Sequence, residues 1–374
     1  MPELGRVDTI LTDPPYGLNF MGKKWDYDVP NIETWQECLR VLKPGGTALI
    51  FAGSRTQHRM ACNVEDAGFI LKDCIMWIYG SGFPKATDIS KQLDKKGEFN
   101  ITKSKTPEAQ LWNGWKSHGL KPAYEPILVC MKPNEGSYAD NALKWGVSGL
   151  NIDGGRIESN DKLSGGINSG SAGIWTNKKI RPIEYKQPAG RYPANIILDE
   201  EAARLLDEQS GELTSGAMKK PYKYTNTGYS LGSSAGKTKQ IHVSNQGGAS
   251  RFFYCAKASK SERNAGLFGN KKQRDESRSH GQAGTDNPYN RGAQEVTNHH
   301  PTVKPLKLIE YLCKLTETPT KGIVLDCFSG SGTLGIACER INRKYILIEK
   351  EEAYCEIAKK RIIKKLSQKR LPGF

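Results

Sequence analysis

Val7 to Thr12 is a short run of apolar and β-branched residues cut off by Asp13-Pro14-Pro15-Tyr16, which predicts a buried strand ended by two prolines. Glu33 to Leu42 has helical spacing, Lys43-Pro44-Gly45-Gly46 breaks it, and Thr47 to Ala52 predicts a second compact strand. A helix over Gln57 to Ala67 and a strand over Phe69 to Tyr79 follow, so the first eighty residues alternate as a doubly wound sheet does. Beyond Gly80 to Lys85 the pattern thins, and Glu125 to Lys132 and Ala194 to Leu198 are strand candidates between glycine-rich and polar stretches. Regularity returns with helices over Lys304 to Leu315, Thr333 to Arg340 and Glu351 to Leu366, around strands over Gly322 to Phe328 and Tyr345 to Ile348.

This pattern predicts two strand and helix blocks around a poorly patterned middle, and 374 residues suffice for one large α/β domain carrying insertions. Charge changes the picture of that middle. Residues 210 to 300 hold 14 Lys plus Arg against 6 Asp plus Glu, a net +8 out of the chain's +15. Such a surplus favours a polyanionic partner, because cations that neutralise phosphates release condensed counterions. A solvated linker is the plain alternative for any one stretch. No apolar run approaches the ~20 residues of a membrane span, and Met1 to Ile10 lacks the plan of a signal peptide. A soluble, intracellular protein is expected. The nine cysteines form no C-x-x-C pair, so neither a zinc ribbon nor a disulfide framework is expected, and no metal is called for.

Three segments carry candidate chemistry. In Asp13-Pro14-Pro15-Tyr16, a carboxylate and the Pro14 carbonyl can accept the two hydrogens of an exocyclic amine and draw its delocalised lone pair towards tetrahedral geometry. The prolines fix the turn and Tyr16 offers a flat face for stacking, although Asp and Pro also make ordinary strand-ending turns. In Asp326-Cys327-Phe328-Ser329-Gly330-Ser331-Gly332-Thr333, glycines at a junction of strand and helix let backbone approach a ligand, and the helix start favours an anionic group. Glu349 ends the next strand about twenty residues on, where a carboxylate takes ribose hydroxyls in dinucleotide-type folds. No Walker lysine follows, which disfavours nucleoside triphosphate chemistry. In His300-Pro301-Thr302-Val303-Lys304-Pro305, Thr302 and Lys304 are candidates to hold a cofactor carboxylate, or else simply open a helix.

Together the segments resemble the amino-methylating DNA methyltransferases that modify adenine N6 or cytosine N4: DPPY matches their catalytic motif, DCFSGSGT their cofactor loop and HPTVKP the segment before it. The order, catalytic motif first and cofactor loop last, is that of the permuted β group. LKPGG, GSGFPK, LKPAYEPI, GRYPANIILDEEA and FFYCAKASKSERN are similar to stretches of phage and prophage members. The resemblance implies a Rossmann-like, S-adenosylmethionine-dependent fold with a mostly parallel sheet, built from residues 1–90 and 300–374. Residues 91–299 are then a loop-rich target-recognition insertion that can also lend strands to the sheet.

By that resemblance Asp13, Pro14, Pro15 and Tyr16 are catalytic, and Thr302, Lys304, Asp326, Phe328, Gly330, Ser331, Gly332, Thr333 and Glu349 bind the cofactor. Double-stranded DNA is the implied partner. Tyr16 and Phe83 would flank a flipped adenine, and Lys271, Lys272, Arg274 and Arg278 would meet phosphates from loops that order on DNA. Asp13 favours adenine, because the cytosine-N4 relatives carry Ser at that position. The family context also allows a homodimer and a cognate restriction enzyme, in the cytoplasm of a bacterial or phage-infected cell. Two other readings are carried along: a protein-glutamine methyltransferase, opposed by motif order, and an inactive DNA-binding relative. Relatives carry a strand with a Gly-Asp pair upstream of DPPY, and with twelve residues before Asp13 that contact to the cofactor adenine is expected to be missing.

Overall fold

The computed structural model describes residues 5–18, 26–82, 84, 86–94, 104–159, 161, 188–214, 246–256 and 303–369. The chain opens with β1 (Val7–Thr12), α1 (Ile32–Val41), β2 (Leu42–Phe51), α2 (Gln57–Asp66) and β3 (Ile70–Ile78). An excursion carrying α3 (Ile89–Asp94) and α4 (Pro107–Leu111) leads to β4 (Tyr124–Met131) and α5 (Tyr138–Trp145). A two-stranded ribbon of β5 (Ile157–Glu158) and β6 (Gly190–Arg191) precedes β7 (Ile196–Asp199) and α6 (Glu200–Ser210). A second ribbon, β8 (Leu213–Thr214) with β9 (Gln246–Gly247), comes before β10 (Tyr254–Ala256). The chain then runs through α7 (Leu306–Leu315), β11 (Val324–Asp326), α8 (Thr333–Ile341), β12 (Tyr345–Leu347) and α9 (Glu352–Lys369).

Eight of these strands form one sheet in the order β10-β7-β3-β4-β2-β1-β11-β12. Every neighbouring pair is parallel except the two that β4 makes with β2 and β3. The expected mostly parallel, Rossmann-like sheet is therefore present, with one reversed strand at its centre. Three of its strands, β4, β7 and β10, come from residues 91–299. That segment is interleaved with the sheet as well as lying between the two motif-bearing blocks.

Side-chain alternation explains why both faces are covered. On β2, Ala48 and Ile50 join Val7 and Ile10 of β1 under α1 and α2, with Trp35 fully buried among them. Leu49 and Phe51 point the other way, with Leu11, Ile127 and Val129, to meet α7 and α8. Full burial of each such side chain is worth about 1.5–3 kcal/mol, so the two apolar layers supply the main cohesion of the sheet. The register at the centre is tied by a buried arginine. Arg343 donates to the Thr9 hydroxyl at 2.7 Å, to the carbonyls of Cys313, Thr316 and Gly322, and to the Thr316 hydroxyl, linking β1 to the end of α7.

Two of the departures from the pattern-based expectation have a clear local cause. Lys43 to Gly46 does not separate a helix from a strand. β2 begins at Leu42, directly after α1, and absorbs these residues as an irregularity: Val7 pairs with Leu42, yet Thr9 pairs with Thr47. Gly45 permits this through its positive φ of 71°, with its amide donating to the carbonyls of Lys132 and Pro133. α7 starts at Leu306, two residues later than the apolar spacing indicates, because Pro305 stands at its N-cap with an extended backbone. No helix among the described residues is long and apolar enough to cross a membrane.

Candidate active site

β1 and β11 are parallel neighbours, with Thr9 opposite Val324 and Ile10 opposite Leu325. Their carboxyl ends therefore lie side by side, which brings the Asp13 to Tyr16 turn and the Asp326 to Thr333 loop to one edge of the sheet although they stand over 300 residues apart. Both line a single cavity of about 610 Å³, together with Phe51, Trp77, Glu125, Lys304, Ile348 and Glu349. The crevice at the carboxyl ends of parallel strands is where open α/β sheets bind ligands. The Thr12 hydroxyl donates to Asp326 Oδ1 at 2.7 Å, so the two strand ends are also bonded to each other.

The Asp13 turn is held from several directions. Asp26, 3% exposed, accepts the backbone amides of Tyr16 at 2.7 Å and Gly17 at 3.0 Å, while the Thr56 hydroxyl donates to the Tyr16 carbonyl at 2.6 Å. Gly53 leaves room for the tyrosine, since a Cβ there would stand 3.2 Å from Tyr16 Cβ. The Tyr16 hydroxyl lies 2.7 Å from Asp13 Oδ1 and 3.1 Å from Glu125 Oε2, able to donate its one proton to either. Burial, and then the charges of Asp13 and Glu125, push the Tyr16 phenol well above its ordinary value, so it remains protonated.

Lys304 closes this cluster. Its ammonium is 2.7 Å from Asp13 Oδ2 and 3.1 Å from Glu125 Oε2, and lies above the rings of Tyr16 and Phe51. Burial alone would push the lysine down, but the Asp13 and Glu125 carboxylates outweigh it and hold the amine above its usual range. Expected from the sequence to hold a cofactor carboxylate, Lys304 is bonded in this structure to the acid of the DPPY turn. Thr302, its companion in that expectation, lies outside the described residues.

Around the glycine loop, Gly330 and Gly332 have φ values of 51° and 75°, a conformation that disfavours side chains. Gly330 N donates to Glu349 Oε2 at 2.7 Å and Glu351 N to Glu349 Oε1 at 2.9 Å, fixing that carboxylate at the cavity wall. Phe328, Gly330, Ser331 and Thr333 line the cavity. Gly332 serves a different contact: a Cβ on it would stand 2.8 Å from Ala358 Cβ, so its bareness lets α9 pack against the loop. Arg361 of α9, 4% exposed, donates to the Ser331 carbonyl at 2.5 Å, to the Ser331 hydroxyl at 2.8 Å and to the Thr333 hydroxyl at 3.3 Å. Asp326, 7% exposed, is raised to about 7, chiefly by burial, against the opposing bonds from Thr12 and the Phe328 amide.

Of the residues singled out in the sequence, Asp13 to Tyr16, Lys304, Asp326, Phe328, Gly330, Ser331, Thr333 and Glu349 converge on this cavity. Phe83, Lys271, Lys272, Arg274 and Arg278 lie outside the described residues, as do the loops expected to order on DNA. Sequence reasoning missed Asp26, Thr56, Glu125 and Arg361. Glu125 alone had a signal, as the acidic first residue of an apolar strand candidate.

A mostly parallel α/β sheet with a DPPY turn and a glycine loop meeting over one cavity defines an α/β fold with a ligand crevice at its strand carboxyl ends. The chain belongs to the DNA methylase family of the N6/N4 methyltransferases, whose family model matches residues 7–360. It is 33% identical over 123 residues to the Type II methyltransferase M.HindIII of Haemophilus influenzae, spanning 32% of this chain and 38% of that protein. It is 45% identical over 72 residues to M2.LlaDCHI of Lactococcus lactis subsp. cremoris, spanning 19% and 26%. The chain thus matches well under half the length of these relatives. The crystal structure of M1.HpyAVI aligns with 96% of this chain and 88% of its own at 16% identity, with a TM-score of 0.40.

Proposed function

We propose that the chain is a site-specific DNA methyltransferase acting on adenine N6, with S-adenosylmethionine as methyl donor. The observation that carries this reading is the adjacency of β1 and β11, which sets the Asp13 turn and the glycine loop around one cavity. The residues of that cavity fit the donor. Phe328 and Ile348 offer apolar surface to a purine, the Glu349 carboxylate keeps lone pairs for ribose hydroxyls, and the start of α8 at Thr333 favours an anionic tail. When bound, the cofactor supplies an electrophilic sulfonium methyl.

The chain's own residues then act on the nucleophile. Asp13 has one oxygen against Tyr16 and the other against Lys304, but a carboxylate offers about four lone-pair sites and can accept an amine hydrogen as well. With the Pro14 carbonyl it localises the amine lone pair. The adenine must leave the duplex stack to reach this floor, where Tyr16 lies beneath it. Residues 91–299 supply target recognition in this reading, and Phe83, Lys271, Lys272, Arg274 and Arg278 are its candidate DNA contacts. The naming of relatives as Type II methyltransferases supports a place in restriction and modification, and a DNA substrate fits the expected cytoplasmic location.

The test is methylation of DNA by the purified chain with labelled cofactor, followed by digestion and mass spectrometry of the nucleosides. N6-methyladenine is expected. N4-methylcytosine would move the target to the other amine of the family, and no labelled DNA would point to the inactive, DNA-binding alternative.

A further inference from the structure

Glu125 has no part in the chemistry described so far, yet it occupies a position that only the reversed strand makes available. In a parallel sheet, the crevice is built from strand carboxyl ends. β4 runs the other way, so its first residues stand at that same end, with Tyr124 opposite Ile78 and Glu125 opposite Trp77. The Glu125 carboxylate consequently enters the cavity from the middle of the sheet and meets Lys304 at 3.1 Å and the Tyr16 hydroxyl at 3.1 Å.

The charges in this cluster count simply. Lys304 is a cation, Tyr16 is neutral, and Asp13 and Glu125 are two carboxylates, each with its side chain 22% exposed against 10% for the lysine. Asp13, Glu125 and Lys304 together therefore carry a net charge of about −1 when both acids are ionised. Without Glu125, Lys304 would pair with Asp13 alone, and the acceptor would face the target amine with its charge cancelled at 2.7 Å. Methylation turns a neutral amine cationic, so a net negative floor favours the transition state over the ground state, and a neutral floor does not.

We propose that Glu125 is a positioning residue that shares Lys304 with Asp13, keeping the cluster net negative and leaving Asp13 free to act on the amine. Lys304 shifts towards Glu125 as the target amine takes up Asp13. The inference rests on the methyltransferase reading above.

The experiment is a double-mutant cycle on the full chain, read as the single-turnover rate of methyl transfer at saturating cofactor and DNA, with both dissociation constants measured alongside. Glu125→Gln sets the cluster charge to zero and is expected to slow transfer by ~10-fold to 10²-fold while both dissociation constants stay within ~3-fold. Glu125→Gln with Lys304→Met returns the charge to −1 and should recover at least half of that loss on a logarithmic scale. A carboxylate with a purely structural role predicts the opposite, because the second substitution adds a further defect to the first.

Wild-type rates in Glu125→Gln, or a double variant slower than Glu125→Gln alone, overturn the proposal. If Glu125→Gln does not fold, the folded double variant carries the test: transfer within ~10-fold of the parent supports the proposal, and a greater loss overturns it. A parent chain that methylates no DNA sinks the methyltransferase reading and this inference together. A parent that methylates normally while Glu125→Gln matches it sinks only the inference.

Discussion

The turn after β1 and the loop after β11 are neighbours that line one cavity, yet they are stabilised in different ways. The Asp13 turn is gripped by side chains from four other places, Asp26, Thr56, Glu125 and Lys304, and the bare Gly53 leaves room for its tyrosine. The glycine loop is shaped mainly by its own backbone, with positive φ at Gly330 and Gly332, and is pinned from the carboxyl-terminal side by Glu349 and Arg361. A charged cluster with interchangeable partners suits a site where charge must develop during a reaction. A fixed backbone cradle suits one that binds. Substitutions in the first region should therefore act on turnover, and those in the second on affinity.

The largest expected effect tests the first half of that contrast. Asp13→Ala removes the proposed amine acceptor and one partner of Lys304, and methyl transfer should fall by ~10²-fold or more with cofactor affinity close to normal in calorimetry. A matching loss of affinity would erase the distinction between the two regions. On the affinity side, Arg361→Met strips the loop of its bonds to Ser331 and Thr333 from a buried position. Thermal unfolding should show a loss of about 2 kcal/mol, and the cofactor dissociation constant should rise ~10-fold with little change in the rate of the bound enzyme. A smaller effect of the same kind is expected from Glu349→Ala, which removes the carboxylate held by Gly330 and Glu351: a rise of ~3-fold to 10-fold in the dissociation constant.

A pH effect on stability, rather than on turnover or affinity, is expected at the join between the two regions, where Thr12 meets Asp326. Burial raises the Asp326 carboxyl to about 7 in the folded chain, whereas an unfolded aspartate titrates near ~3.9. Between those values the folded chain holds a proton that the unfolded chain has released, so stability falls as pH rises through the window, by up to roughly 4 kcal/mol. Below about pH 4 both states are protonated and the penalty vanishes. Asp326→Asn should flatten this part of the stability profile in chemical denaturation across pH 4 to 7. An unchanged slope would show that Asp326 is ionised in the folded chain and that the two strand ends are joined by a charged bond.

Legibility in the sequence follows the same division. The glycine loop and Glu349 could be read from the chain because strand, turn, helix and downstream acid are local features at fixed spacing. Asp13 could be read because two prolines and a tyrosine after a β-branched run form a compact signal. The residues that hold Asp13 in place were not legible, since Asp26, Thr56 and Glu125 become its neighbours only once the sheet is ordered. β4 itself was expected as a strand from its apolar run, but period-2 alternation is the same in either direction and gave no hint of its reversal. At Lys43 to Gly46, local breaker chemistry was overruled by pairing with β1, where a glycine bulge absorbs the extra residues. Gly332 is expected from the sequence at the cofactor, and that its bareness also admits Ala358 is visible only in three dimensions.

The adjacency of β1 and β11 also sets a schedule for how the protein forms during synthesis. Thr9 must wait for Val324, 315 residues later, before one edge of its strand is paired. At roughly 5–20 residues per second, a ribosome needs about 15–60 s to deliver that partner. Until then the nascent chain holds a completed DPPY segment beside an open, apolar strand edge, the kind of surface that invites mispairing and chaperone binding. Such non-local pairing belongs to the slowest class of folding events. The Asp13 turn and the glycine loop consequently acquire their shared cavity in a single late step, so a chain interrupted before residue 324 carries the DPPY segment without the cavity.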